Sequence, residues 1–340
     1  MRKTKNTLLA IACSACSLPV LAGGVSTEFS DIQISGGASG GYVYADNEMT
    51  RQNDQSRLMD FLLGIDASTK DGKAAISAGI GILPAFALTD EGIDETGSGV
   101  EVQYAEVIIH PTEDWSLELG RMPSNVGFED TIMYNNANVM ESVQAITQPG
   151  FFNAARLNYG NDNFTVYVEQ GDEEYEDFNA VVGSQSWSAG ATGNVGGIEY
   201  VVGYNNYVGF RSLFDLILTT DVAGMEVTVA IDKLKIEDAA LANPTDTNHA
   251  ESIALYVSGP TSGDFSFPIR VEAFDDHGNG LYRGAGKGNS LTITPTWNIS
   301  ENAFLRSDIS YMKTDNSIFD DKGTFTDSRL GIAVQAGYRL

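Results

Sequence analysis

Positive charge is scarce in this chain: 20 lysines and arginines stand against 46 aspartates and glutamates, for a formal net charge of -26. Nucleic-acid binding needs a basic face to meet phosphates, so that class is excluded. Cysteine is scarcer still, and the only two, Cys13 and Cys16, fall inside the first 22 residues. Beyond Ala22 the chain therefore has no disulfide framework, no thiol nucleophile and no cysteine metal site. Long apolar runs are also missing there, where a membrane-crossing helix would need about 18 apolar residues in succession. Histidine is limited to His110, His249 and His277. None has a nucleophile motif beside it, and neither a phosphate-binding glycine loop nor a zinc spacing occurs. No catalysis, cofactor or metal ion is expected.

The first residues carry an export address. Arg2, Lys3 and Lys5 precede the short apolar run Leu8–Leu18, and Val20-Leu21-Ala22 places small residues before a cut ahead of Gly23. Neither cysteine has a leucine three residues before it, so acylation is not indicated. Residues 1–22 read as a cleaved signal peptide and residues 23–340 as one domain. Without Arg2, Lys3 and Lys5, 17 basic residues face the same 46 acidic ones.

What the chain does contain is alternation. Glycine is abundant at 36 residues, and hydrophobic residues make up 42%, distributed with a period of two rather than in blocks. Trp115, Leu117 and Leu119 alternate with Ser116, Glu118 and Gly120. Met59, Phe61, Leu63 and Ile65 share one face of a segment whose other face holds Asp60, Gly64 and Asp66. Leu330, Ile332, Val334, Ala336, Tyr338 and Leu340 alternate with small and polar residues up to Arg339. Such segments recur about sixteen times, and their connections are alternately long and short, as in a transmembrane barrel. The aromatics Trp115, Tyr159, Trp187, Tyr200, Tyr204, Phe214, Phe265, Trp297, Tyr311 and Tyr338 suit interfacial girdles. The fold predicted is all-β: an antiparallel transmembrane barrel of about 16 strands.

One connection breaks the rhythm. Between the strands that start at Trp115 and Phe152, some thirty residues run without steady periodicity, holding Gly127, Glu129, Asp130, Asn135, Asn136, Asn138 and Glu141. A connection of that length is functional or signals a wrong assignment. In a barrel it can fold inward and narrow the channel, as the third external loop.

The stretch Trp115–Tyr159 resembles the Gram-negative porins, and among them the OmpL-like β-barrel porins. The matching features are Gly120-Arg121, Gly127-x-Glu129, Asn135-Asn136, Ser142, Pro149, and Arg156 with Tyr159, together with the feeding strand Val100–Pro111. The resemblance implies a channel-forming protein of the cell outer membrane, with an inward third loop and often a homotrimeric assembly. Its partners would be outer-membrane lipid, lipopolysaccharide, and small hydrophilic solutes and ions.

A pore selects by width and field. Glu129, Asp130 and Glu141 are candidates for the acidic side of a constriction, and Arg156, Arg270 and Arg306 for the basic side. Each arginine is in phase with polar neighbours and opposite apolar ones, which favours the lumen. The function expected is passive diffusion of small hydrophilic solutes and ions with a preference for cations. The competing readings are a secreted or surface β-rich adhesin or carbohydrate-binding protein, and an outer-membrane barrel enzyme. The loop Asp275-Asp276-His277-Gly278-Asn279-Gly280 resembles a calcium loop but has no closing glutamate, so it reads as a turn.

Overall fold

The computed structural model describes residues 29–46, 54–83, 100–173, 184–208, 210–237, 247–279, 281–282, 284–321 and 324–340. The predicted signal peptide, residues 1–22, and the stretches 47–53, 84–99, 174–183 and 238–246 lie outside the described residues. The sequence alternation also predicts strands at Val181–Ala191 and Ala74–Leu88, and the start of the first and the end of the second lie outside the described residues too.

Sixteen strands form one antiparallel sheet: β1 (Phe29–Ala45), β2 (Asp54–Thr69), β3 (Ala74–Ile82), β4 (Glu101–Ile109), β5 (Trp115–Pro123), β6 (Phe151–Gly160), β7 (Phe164–Glu173) and β8 (Ser184–Val195). The second half comprises β9 (Ile198–Tyr207), β10 (Arg211–Val222), β11 (Met225–Ile236), β12 (His249–Val257), β13 (Ile269–Asp275), β14 (Lys287–Ile293), β15 (Ala303–Thr314) and β16 (Ser328–Arg339). Short pieces at Thr261–Ser262, Phe265–Ser266 and Thr296–Asn298 extend β12, β13 and β14. Every strand pairs with the next, and β16 pairs with β1 from Gly37↔Arg339 to Ala45↔Gly331. Closure leaves no unpaired edge, which is what a sheet surrounded by hydrocarbon requires. Among the described residues the only helical turns are two 3-10 turns, Met133–Asn135 and Ala145–Thr147, both between β5 and β6.

Alternation is realised as an inside and an outside. Ile65, Ile76, Val107, Leu119, Leu157, Val168, Ile253, Val271, Leu291 and Ile309 project outward around the ring and are exposed. An apolar belt of that extent fits an apolar solvent, not water. Of the girdle aromatics, Trp115 packs on Tyr159 at 4.8 Å, Trp187 on Tyr204 at 5.2 Å and Phe265 on Trp297 at 6.0 Å.

One end of the barrel turns tightly. Between β10 and β11, Ala223 and Gly224 take φ of 55° and 82°, the mirror-image turn that matches strand twist. Between β2 and β3 the Thr69 hydroxyl donates to Asp71 at 2.7 Å and the Lys73 amide donates to the same oxygen. These bonds, the hydroxyl's first, hold the Asp71 carboxyl below its ordinary range.

In one place the period of two misleads. Ser39 pairs with Asp60 and Gly40 with Leu58, so Met59 is an extra residue in a bulge. The slip turns Met59 inward, fully buried, away from the face it was expected to share with Leu63 and Ile65. There it joins an apolar cluster with Met133 and Val139 of the long connection and with Phe274, Met312 and Phe319. A second difference is His249: the sequence around it predicts a loop, yet it opens strand β12. Its ring sits 4.3 Å from that of His277.

Candidate functional site

The connection 124–150 enters the barrel. It runs as a tongue along the inner wall, and its path can be followed through its bonds. Val126 rests against Gly203 of β9, the Gly127 amide donates to Asp215 of β10 at 3.0 Å, and Phe128 packs on Tyr256 of β12 at 4.4 Å. At the far point the Tyr134 amide donates to Asp60 of β2 at 2.8 Å, and its ring lies over Gly37 of β1. On the return, the Val139 and Met140 amides both donate to Asp308 of β15, at 2.8 and 2.7 Å. The Val143 amide donates to Glu272 of β13 at 2.7 Å, and Gln148 to Asp232 of β11 at 2.9 Å. A glycine is needed at position 37: a β-carbon there would stand 3.0 Å from the Tyr134 ring and 2.5 Å from the Tyr338 carbonyl oxygen.

Of the three arginines singled out in the sequence, Arg270 and Arg306 bond the tongue itself and Arg156 bonds the end of β5 from which it springs. Arg156 donates to the Pro123 carbonyl at 2.7 Å, where the tongue begins, and pairs with Glu169 at 2.7 Å and Glu118 at 3.0 Å. Arg270 donates to the Met140 and Glu141 carbonyls at 2.7 and 3.0 Å while pairing with Glu129 at 2.7 Å and Glu272 at 3.0 Å. Arg306 donates to the Met133 carbonyl at 2.7 Å and the Asn136 carbonyl, with its Nε on Gln335. Their exposures are 4%, 1% and 4%. Wall arginines thus hold loop carbonyls, wall carboxylates hold loop amides, and the bonds are of the strong charge-assisted kind. Leaving either set unpaired in a buried place would cost several kcal/mol.

The acidic candidates divide. Glu129 joins the buried knot, accepting from Arg270 and from the Ser142 amide at 2.6 Å. Asp130 is half-buried and organises the tongue's tip by accepting from the Ile132 amide and from Asn135. Glu141 is also half-buried. Glu129 and Arg270 are brought together; Arg156 and Arg306 lie on β6 and β15, at other points of the ring.

The tongue's bonds run along the wall from β9 round to β2; on the rest of the wall the inward residues of β6–β8 such as Arg156, Tyr167 and Glu169 are buried, and partial exposure is kept nearer β3–β5. There and at the margin Asp66, Ser77, Tyr104, Glu106, Glu118 and Asn158 keep partial exposure. The wall carboxylates Asp60, Asp215, Asp232, Glu272 and Asp308 were not among the sequence candidates. Their signal was there, since each is an acid inside an apolar strand, but parity alone does not tell an anchor from a pore-lining charge. In the loop at 275–286, the Asp276 carboxylate accepts from the amides of Gly278, Tyr282, Gly284 and Gly286. That is a turn closed on its own backbone, and it seats Tyr282 in the apolar cluster.

Solved structures of the same architecture include the anion-selective porin from Comamonas acidovorans, with a TM-score of 0.62 at 13% identity, covering 92% of this chain and 100% of that one. The outer membrane channel DcaP of Acinetobacter baumannii gives 0.63 at 12% identity, over 91% and 97%. OmpT of Vibrio cholerae, in a trimer form, gives 0.60 at 11% identity, over 91% and 99%. No curated protein sequence matches. A family model described as "Putative beta-barrel porin-2, OmpL-like" matches residues 31–340, nearly the whole chain. With a closed barrel, an apolar belt and a loop folded into the lumen, the chain belongs to this family of outer-membrane porins.

Proposed function

We propose that this porin is a water-filled channel for passive diffusion of small hydrophilic solutes and ions, without catalysis, and that it prefers cations. One observation carries the preference. Arg156, Arg270 and Arg306 are buried in bonds to carboxylates and to carbonyls of or next to the loop, while the partly exposed charges include the carboxylates of Asp66 and Asp130, and Glu118 beside them spends one oxygen on Arg156. Fixed negative charge beside a narrow aqueous path concentrates cations and repels anions. The Comamonas porin is anion-selective by its description, so shared architecture does not set the sign of selectivity; the exposed charges do. Asp130 and Glu141, on the tongue, are the pair of sequence candidates placed to add to this field. Glu129 and the three arginines act as fasteners that fix where the constriction lies.

The reversal potential across a planar bilayer with a salt gradient tests the reading. Cation preference is expected, and anion preference overturns it. Two further assignments accompany the proposal. Residues 1–22 are a cleaved export signal, which mature protein beginning at Gly23 would support. The assembly is a homotrimer in outer-membrane lipid and lipopolysaccharide, in line with the trimer form of the Vibrio protein, and crosslinking in detergent checks it.

A further inference from the structure

Directly opposite each other on β10 and β11 stand Asp215 and Asp232, register partners in the sheet, both with 0% exposure. Each uses Oδ2 to hold one stem of the tongue: Asp215 accepts from the Gly127 amide at 3.0 Å, and Asp232 from the Gln148 side chain at 2.9 Å. The Oδ1 atom of each is buried with no donor, and the register sets the two side chains directly opposite on the same face of the sheet. Two unpartnered anionic oxygens on facing side chains, away from water, need a positive species to hold them together. A metal ion fits poorly: hard cations ask for six or more oxygens, and among the described residues no group of three or more His, Cys, Asp or Glu side chains could hold one.

We propose that Asp215 and Asp232 share one proton between their Oδ1 atoms at neutral pH, and that this acid–carboxylate pair latches both stems of the tongue to the wall. The proton resides on one Oδ1 and is donated to the other, which satisfies both oxygens at once. The groups facing the pair are Arg211 on β10, Tyr167 from β7 and Tyr282 from the loop after β13, with Gly127 and Gln148 from the tongue, Ser252 from β12 and Gly203 from β9. Arg211 is the one cation of that group, and it stacks on Tyr207 at 5.1 Å. When hydroxide removes the shared proton, two adjacent carboxylates repel, the side chains rotate apart and the Oδ2 bonds to the stems break. The tongue then loses its hold at β10–β11 while keeping its bonds to Asp60, Glu272 and Asp308.

Infrared spectroscopy of the full-length protein folded in lipid vesicles tests the proton itself, independently of conduction. The expected result is a carboxylic-acid C=O band that persists at pH 8 in the wild type and is absent in both D215N and D232N. A wild type without that band overturns the proposal, as does a band of equal size in all three proteins. So does a wild-type band that disappears on adding a divalent cation at neutral pH, because the site would then belong to a metal. Single-channel recording reads the latch. In the wild type the frequency of tongue excursions should rise about tenfold per pH unit on approach to the transition, the slope of one proton, and in D232N it should not change with pH. Equal pH dependence in the two proteins refutes the latch. Should either variant fail to fold, as judged by heat-dependent migration on a gel, the infrared titration of the wild type still decides.

Discussion

Arg270→Met removes the centre of the knot that fastens the tongue while roughly keeping side-chain length. The guanidinium makes two ion pairs and two bonds to loop carbonyls, all between 2.7 and 3.0 Å, at 1% exposure. Without it, Glu129 and Glu272 become buried carboxylates with no cation beside them, and the Met140 and Glu141 carbonyls lose their donor. Breaking one side of a buried ion pair costs about 3–5 kcal/mol, mostly from the charge left behind. The docked tongue would therefore lose between about a hundred and a few thousand fold of its advantage over a displaced one. The barrel itself should persist, since its ladder hydrogen bonds do not involve this side chain. Single-channel recording should show larger mean conductance and frequent transitions between levels, with heat-dependent gel migration unchanged. Adding Glu129→Gln should restore part of the quiet behaviour by removing one stranded charge. If the folded Arg270→Met protein conducts like the wild type, with the same steadiness, the clamp argument is wrong.

Other substitutions probe other parts. Gly37→Val should push the Tyr134 ring off β1 and raise conductance while also straining the β1–β16 seam; urea unfolding in vesicles separates the two effects, and unchanged conductance refutes the contact. Ile309→Lys places a charge on the outer face at mid-strand and should destabilise the folded barrel by about 2–4 kcal/mol, measured by the same unfolding assay. Ala223→Gly relieves a left-handed backbone at the β10–β11 turn and should stabilise by up to about 1 kcal/mol, seen as a shift of the unfolding midpoint.

Much of the fold was legible in the chain because a membrane barrel has one rule per residue. Side chains alternate between lipid and lumen, so Leu157 and Tyr159 could be placed outside and Arg156 inside from parity alone, and the strand that the sequence pattern predicts over Met225–Ile236 is β11 to the residue. The rule fails where the ladder slips. Met59 is an ordinary apolar residue in a run of alternate apolar residues, and only its pairing with β1 makes it the extra member of a bulge.

What the sequence by itself determined is the set of inward and outward faces, the short turns at one end, and the presence of a long polar insertion after β5. These depend on neighbours a few residues apart. What only the tertiary structure decided is which charges meet. Glu129 and Arg270 are 141 positions apart, and Tyr134 and Asp60 are 74 apart, so nothing local ties them together. Closure of the ring sets the tongue against β9–β2 and buries Arg270 and Arg306 there in bonds to it. Which charges end up buried in pairs follows from desolvation across the barrel, which no count of basic and acidic residues contains.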